Sequence, residues 1–225
     1  MRDLGVKVLL EGSNPQRLLW GLWVTARIAL LAASCSAVSG ILFGVLMTGK
    51  NRTVRFLCQV YLEAMRIIPV LVWLFLFYFG LAKNFQINLS GEMTAVLVFT
   101  LWGTAEMGDL VRAAVTSIAK HQYESAQALG LSPAQLYYHV IIPQAARRLM
   151  PGAINLTTRM IKTTSLAVLI GVVEVLKVGQ QIIEANFLKN QSASFWVYAL
   201  IFFLYFLLCM PISHWSKRLE QRWQS

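Results

Sequence analysis

The sequence predicts an all-α integral membrane protein with five transmembrane helices, and three observations carry that prediction. Hydrophobic residues make up 57% of the 225 residues and charged residues only 13%, whereas soluble domains hold roughly 25% charge. Apolar runs long enough to cross ~30 Å of hydrocarbon, about 20 residues each, recur along the chain. Lysines and arginines gather at the ends of these runs. A net charge of +10 raises the question of nucleic acid, but its distribution fits a lipid bilayer, so no nucleic-acid partner is expected. The length suits a single transmembrane domain, residues 1–225. No short apolar core with a small-residue cleavage site opens the chain, so a removable signal peptide is not expected.

The first span is expected over residues 20–47. Ala32, Ser36, Gly40 and Gly44 recur every fourth residue there, a small-residue stripe that lets another helix approach closely, within the bundle or across a dimer seam. Arg27 lies near one end of this span, where a long side chain can snorkel. The second span, residues 54–81, carries Glu63 and Arg66 on one face, where they can partly neutralise each other. Pro69 should kink it and free backbone carbonyls. The third span, residues 93–118, repeats Glu106, Asp109 and Arg112 at three-residue spacing, so Asp109 can pair with Arg112.

Between the third and fourth spans lies a polar insert, residues 119–143, with its own helix punctuation. Gly130 suits a left-handed helix end. Ser132 followed by Pro133 reads as an N-cap and a first-position proline, so a short helix is expected over residues 133–140. The fourth span follows over residues 148–170. It holds Arg159 and Lys162 three apart on one face, with no carboxylate within helical reach along the segment, and then Thr163, Thr164 and Ser165. Buried charge is costly in a bilayer, so these cations call for an anionic ligand, water, or pairing with Glu63 or Glu106. Residues 171–194 show helical spacing at Val172, Val175, Leu176, Val178 and Gly179 and are assigned to the outer face. Residues 195–214 form the fifth span. Trp20, Trp23, Trp196 and Trp215 lie near span ends, as interfacial anchors do.

Basic residues set the orientation. Lys50, Arg52, Arg55, Lys120, Arg147, Arg148, Lys217, Arg218 and Arg222 fall on one side; Arg2, Lys7, Arg17, Lys83, Lys177 and Lys189 fall on the other. The richer side is the cytoplasm, which places the N-terminus outside, the C-terminus inside and the insert in the cytoplasm.

Several chemistries are excluded. Gly44, Gly49 and Lys50 fit a phosphate-loop spacing, but Asn51 stands where a magnesium-binding Ser or Thr is required. His121, His139 and His214 fall at or beyond span ends with no nucleophile–base spacing, so no catalytic residue is assigned. Cys35, Cys58 and Cys209 are isolated and read as small buried hydrophobes rather than metal ligands.

The stretch from Glu124 to Pro143 resembles the "EAA" coupling loop of membrane subunits in ATP-binding-cassette (ABC) importers. That pattern is E-A-A, three residues, Gly, nine residues, then I-x-L-P. Glu124, Ala126, Gly130 and Pro143 match, while Ser125, Val140 and Ile142 stand in for Ala, Ile and Leu. Outside the loop, nearly the whole chain resembles the polar-amino-acid branch of these permeases, which take glutamine, glutamate, arginine or histidine. Tyr61, Glu63, Arg66 and Pro69 match Y-x-E-x-x-R-G-T-P, with Ile67 and Ile68 replacing Gly-Thr. Asp109, Arg112, Ala113, Ser117, Ile118, Gln122 and Glu124 follow the next motif, with His121 for Gly. Pro143, Gln144, Ala145 and Arg147 match P-Q-A-x-R. Lys162, Thr164, Ser165, Leu166 and Ala167 match K-D-T-S-L-A, with Thr163 replacing the aspartate.

The resemblance implies the type I ABC importer permease fold in a bacterial inner membrane. It implies a cytoplasmic ABC ATPase dimer holding ATP and Mg, a second permease subunit, an extracytoplasmic solute-binding protein and an amino-acid substrate. The resemblance implies no cofactor bound directly to this chain. Glu124, Ala126, Gly130, Ser132, Pro133 and Pro143 would couple to the ATPase; Glu63, Arg66, Arg159, Lys162, Thr163, Thr164 and Ser165 would line the substrate path. With threonine at 163 the half-site suits a carboxylate or amide, which favours glutamate or glutamine. The rival is a secondary transporter or channel driven by an ion gradient, which needs no coupling helix and gains no support from an internal repeat.

Overall fold

The computed structural model describes residues 5–187 and 192–224, with side chains as far as residue 221. Arg2, Lys189 and the Arg222 side chain, named in the charge argument, lie outside the described residues, as do residues 188–191 of the outer segment. The described residues form helices and turns: α1 (Asn14–Thr48), α2 (Arg52–Ile67), α3 (Val70–Phe75), α4 (Leu81–Phe85), α5 (Gly91–Thr116), α6 (Lys120–Ala128), α7 (Pro133–Leu136), α8 (Ile142–Thr163), α9 (Val175–Asn186) and α10 (Ala193–Gln224). By length and composition, two are long and apolar enough to cross a membrane, Asn14–Thr48 and Ala193–Gln221. The number rises to four if the bent pairs Arg52–Ile67 with Val70–Phe85 and Pro133–Ile170 with Val175–Asn186 each count as one span.

The expected break at Pro69 is present. Ile68 is extended (φ −81°, ψ 124°), the conformation favoured before a proline, and a π turn (Leu76–Gly80) joins α3 to α4. Pro143 behaves differently. Instead of a short separate helix ending near Val140, α7 continues through a π turn (Tyr137–Ile141) directly into α8. The Ile142 N–H donates to the Tyr137 carbonyl, a five-residue step whose wider turn accommodates a ring with no N–H to give.

The chain divides into two compact units. Unit 1 comprises Met1–Ala32, Val70–Phe99 and Thr158–Pro211. Its core gathers Leu18, Val175, Val178, Ile182, Val197 and Ile201 from α1, α9 and α10. Glu174 is fully buried and caps α9, its Oε1 accepting the Lys177 N–H at 3.0 Å. Its Oε2 accepts from Thr25 Oγ1 at 3.1 Å and from the Tyr205 hydroxyl at 2.9 Å. One carboxylate thus fastens α1, α9 and α10 with neutral donors, satisfying the demand that a buried polar group be hydrogen-bonded. Arg27 pairs with Glu92, an acid 65 residues away that helical spacing along α1 does not reveal.

Unit 2 comprises Ala33–Pro69, Thr100–Thr157 and Ile212–Ser225. The small-residue stripe packs α1 on α5 within this unit. Ser36 Oγ donates to the Thr100 carbonyl at 3.2 Å, and Ser39 Oγ lies 2.6 Å from Thr104 Oγ1. A methyl group on Gly44 would sit 2.5 Å from Val111 Cβ, and one on Gly108 would sit 2.3 Å from Phe43 Cδ1. Backbones this close require glycine on both sides of the seam. Of the three cysteines only Cys58 is buried; Cys35 is exposed and Cys209 half-buried. Apolar runs do not distinguish an inward face from an outward one when the whole helix is greasy.

Candidate functional site

The polar insert folds as a helical hairpin within unit 2. α6 ends with Gly130 at φ +78°. The Leu131 N–H donates to the Ala126 carbonyl at 3.1 Å and the Gly130 N–H to the Gln127 carbonyl at 2.9 Å. That pair of bonds satisfies the orphan carbonyls of a helix end. Two residues later Ser132 caps α7: its Oγ accepts the Gln135 N–H at 3.4 Å, and Gln135 Oε1 accepts the Ser132 N–H at 2.9 Å. Ser132, Pro133 and Gln135 thus form a complete capping box with proline at the helix start. The turn between the two helices is closed from both ends.

The hairpin is fastened down. Ala126, Leu136, Ile141 and Ala145 pack with Ala114 and Ile118 of the α5 end. Arg148 Nη1 donates to the Ser117 carbonyl at 2.6 Å and to Ser117 Oγ at 2.8 Å, placing a cation on the C-terminal end of α5 where the helix dipole favours it. Gln144 Nε2 donates to Gln122 Oε1 at 3.1 Å, joining α8 to α6. Burial, with Tyr137 beside it, pushes the Tyr123 phenol above its ordinary value. Glu124 is exposed and pairs with Lys120 one turn earlier at 2.9 Å. Ser132, Pro133 and Pro143 are also exposed. The hairpin therefore buries its apolar underside and leaves Glu124, Gly130, Ser132 and Pro133 uncovered.

The charged residues form a ladder between α2 and α5, also within unit 2. Arg66 does not neutralise Glu63. Its Nε donates to Glu106 Oε1 at 3.1 Å and its Nη2 to Asp109 Oδ2 at 2.6 Å. Asp109 Oδ1 in turn accepts Arg112 Nε at 2.9 Å, the pairing expected from their spacing. Glu63 instead accepts from Gln59 at 2.7 Å. A guanidinium bridging two carboxylates on a facing helix gains more than one sharing a single acid on its own helix.

In unit 1, Arg159 and Lys162 are exposed on one face of α8. The hydroxyls beside them are not idle donors. Thr163, Thr164 and Ser165 donate to the Arg159, Ile161 and Lys162 carbonyls, each at 2.8 Å. Such back-bonding is common for hydroxyls inside helices; what these side chains offer a ligand is lone pairs. Thr164 is buried. Spacing alone missed Gln135, although S-x-x-Q is a legible capping signature, and it missed Arg148, Gln144 and Glu106 as partners because those contacts join separate helices.

Helices long and apolar enough to cross a membrane, with a capped polar hairpin between them, define a class, helical membrane proteins, and comparison with known proteins gives the family. Residues 40–225 match the family of binding-protein-dependent transport system inner membrane components. This chain belongs to that family. It is 32% identical over 206 residues to the glutamine transport system permease protein GlnP of Escherichia coli K12, covering 91% of this chain and 92% of that protein. It is 30% identical to the probable glutamine ABC transporter permease protein GlnP of Bacillus subtilis, covering 91% and 93%. It is also 30% identical to the glutamate transport system permease protein GluD of Corynebacterium glutamicum, covering 91% and 74%. A crystal structure of an amino acid ABC transporter with histidines superposes with a TM-score of 0.85 at 24% identity, covering 93% of this chain and 95% of that one. The MetNI methionine ABC transporter in an inward-facing form gives 0.70 at 19% identity, covering 94% and 99%. The fold is therefore that of type I ABC importer permeases.

Proposed function

We propose that this chain is the permease subunit of an ATP-driven importer for polar amino acids, glutamate or glutamine foremost, and that residues 124–143 couple it to ATP hydrolysis on a separate subunit. In this reading the chain crosses a bacterial inner membrane five times, N-terminus outside and C-terminus inside. It assembles with a second permease subunit, a cytoplasmic ABC ATPase dimer that holds ATP and Mg, and an extracytoplasmic solute-binding protein. The residues 171–194 lie at the outer face.

The observation that carries the proposal is the hairpin itself: two helix ends capped back to back at Gly130 and Ser132, fastened to α5 and α8, with the tip uncovered. A turn closed by hydrogen bonds at both helix ends moves as one body, so ATP-driven closure of the engaged ATPase is passed into α8 rather than lost in a loop. The substrate reading is supported by the glutamine and glutamate relatives and by Arg159 and Lys162 beside threonine at 163, which suit a carboxylate or amide. Glu63, Arg66, Thr163, Thr164 and Ser165 complete the proposed path.

Gly130→Asp tests the coupling. Nothing lies within 4 Å of a side chain at this position, so the change costs only the left-handed strain, roughly 1 kcal/mol, and the complex still assembles. We expect the chain to co-purify with a nucleotide-hydrolysing subunit whose turnover continues while uptake of radiolabelled glutamine or glutamate collapses. Normal uptake in that variant rejects the coupling role.

A further inference from the structure

Where α1 gives way to α2, unit 2 holds a cleft of about 590 Å³ lined by Met47, Arg52, Arg55, Phe56, Gln59 and Arg112. Three guanidinium groups from two helices line it, with no carboxylate among the described lining residues. Asp109, the acid bonded to Arg112, is already shared with Arg66. The Gln59 amide turns to Glu63. Arg52 and Arg55 have no carboxylate partner among the described residues. The Asn51 side chain caps α2 by accepting the Thr53 and Val54 N–H groups, so the positive end of that helix dipole adds to the same corner.

α2 presents three faces. Arg52, Arg55, Gln59, Glu63 and Arg66 recur along one of them; Cys58, Leu62 and Met65 are buried along the second. Phe56, Leu57 and Val60 are 67%, 61% and 52% exposed on the third. An excess of positive charge therefore adjoins an uncovered apolar strip at the end of a membrane helix, the depth at which lipid headgroups lie.

We propose that this cleft binds the phosphate headgroup of an anionic phospholipid, with the acyl chains laid along Phe56, Leu57 and Val60. Paired guanidiniums match phosphate oxygens in a two-pronged geometry that an ammonium lacks, and basic pockets between membrane helices on the cytoplasmic side are suited to anionic headgroups. The adjoining apolar strip selects a lipid over a soluble phosphate, which would use only the polar half. The inference rests on the membrane-spanning reading and its orientation, not on the coupling role or the transported substrate.

The test is lipid retention by the full chain, purified with its accompanying subunits and read by native mass spectrometry after exposure to phosphatidylglycerol or phosphatidylcholine. We expect phosphatidylglycerol to be retained in preference. Arg52→Gln with Arg55→Gln should weaken retention by roughly 30-fold, the effect of two interfacial cations. Neither side chain has a partner to lose among the described residues, and an unchanged melting temperature checks that the fold survives. Lys217→Gln, outside the cleft, should leave retention unchanged, and Arg55→Lys should fall between. Three results overturn the proposal: full retention in the double variant, equal loss with Lys217→Gln, or complete displacement by inorganic phosphate. Retention is measured without transport, so a chain that couples to no ATPase still gives a clear answer.

Discussion

Glu174 in unit 1 and Asp109 in unit 2 are both carboxylates inside helical packing, and they do opposite work. Glu174 is surrounded by neutral donors, the Lys177 N–H, Thr25 and Tyr205, and every donor belongs to an element it fastens. Asp109 faces cations, Arg66 and Arg112, and remains partly exposed with them. Neutral donors lock a carboxylate in place without a cation beside it. Arginines spread around acids make an open series of charges, and this one ends in excess at Arg52 and Arg55. The first arrangement serves architecture; the second leaves guanidinium groups available to a ligand.

Substitutions can break or sharpen that contrast. The largest effect is expected at Glu174→Ala, which strips three helices of a shared acceptor, a loss of about 4 kcal/mol. Glu174→Gln keeps an acceptor and should lose about half of that; equal losses in thermal unfolding of detergent-purified protein would reject the hub. Gly44→Val drives a side chain into Val111 and should cost about 3 kcal/mol by overpacking. A melting temperature matching the parent chain would show that α1 and α5 do not pack through glycine. Arg66→Ala leaves Glu106 and Asp109 sharing less positive charge. Because the site is partly exposed, about 2 kcal/mol is expected, and a double-mutant cycle with Asp109→Asn should recover part of it. No coupling in the cycle would dissolve the ladder. Smallest is Lys120→Ala, whose exposed pair with Glu124 should contribute under ~0.5 kcal/mol; a larger drop in stability would mean that Glu124 has a structural rather than a partner-facing role.

The features legible in the sequence were the local ones. Gly130, Ser132 and Pro133 carry conformational instructions that act within one turn, and the structure has each where its chemistry requires. The Asp109–Arg112 pair and the break at Pro69 follow from spacing in the same way. The partners of Arg27, Arg66 and Glu174 lie 65, 40 to 43 and up to 149 residues away, beyond any periodicity on one helix. Helical spacing offered Arg66 the acid at 63, but tertiary packing supplied two better placed acids on α5. The short helix expected over residues 133–140 runs on for a related reason: the π turn over Tyr137–Ile141 widens the helix ahead of Pro143, so the proline does not end it.

That widened turn has a mechanical corollary. From Pro133 to Thr163 the main chain stays helical at every residue, roughly 45 Å at ~1.5 Å per residue. Within unit 2 no extended residue interrupts it, so Pro133 to Thr157 form one unbroken helical run.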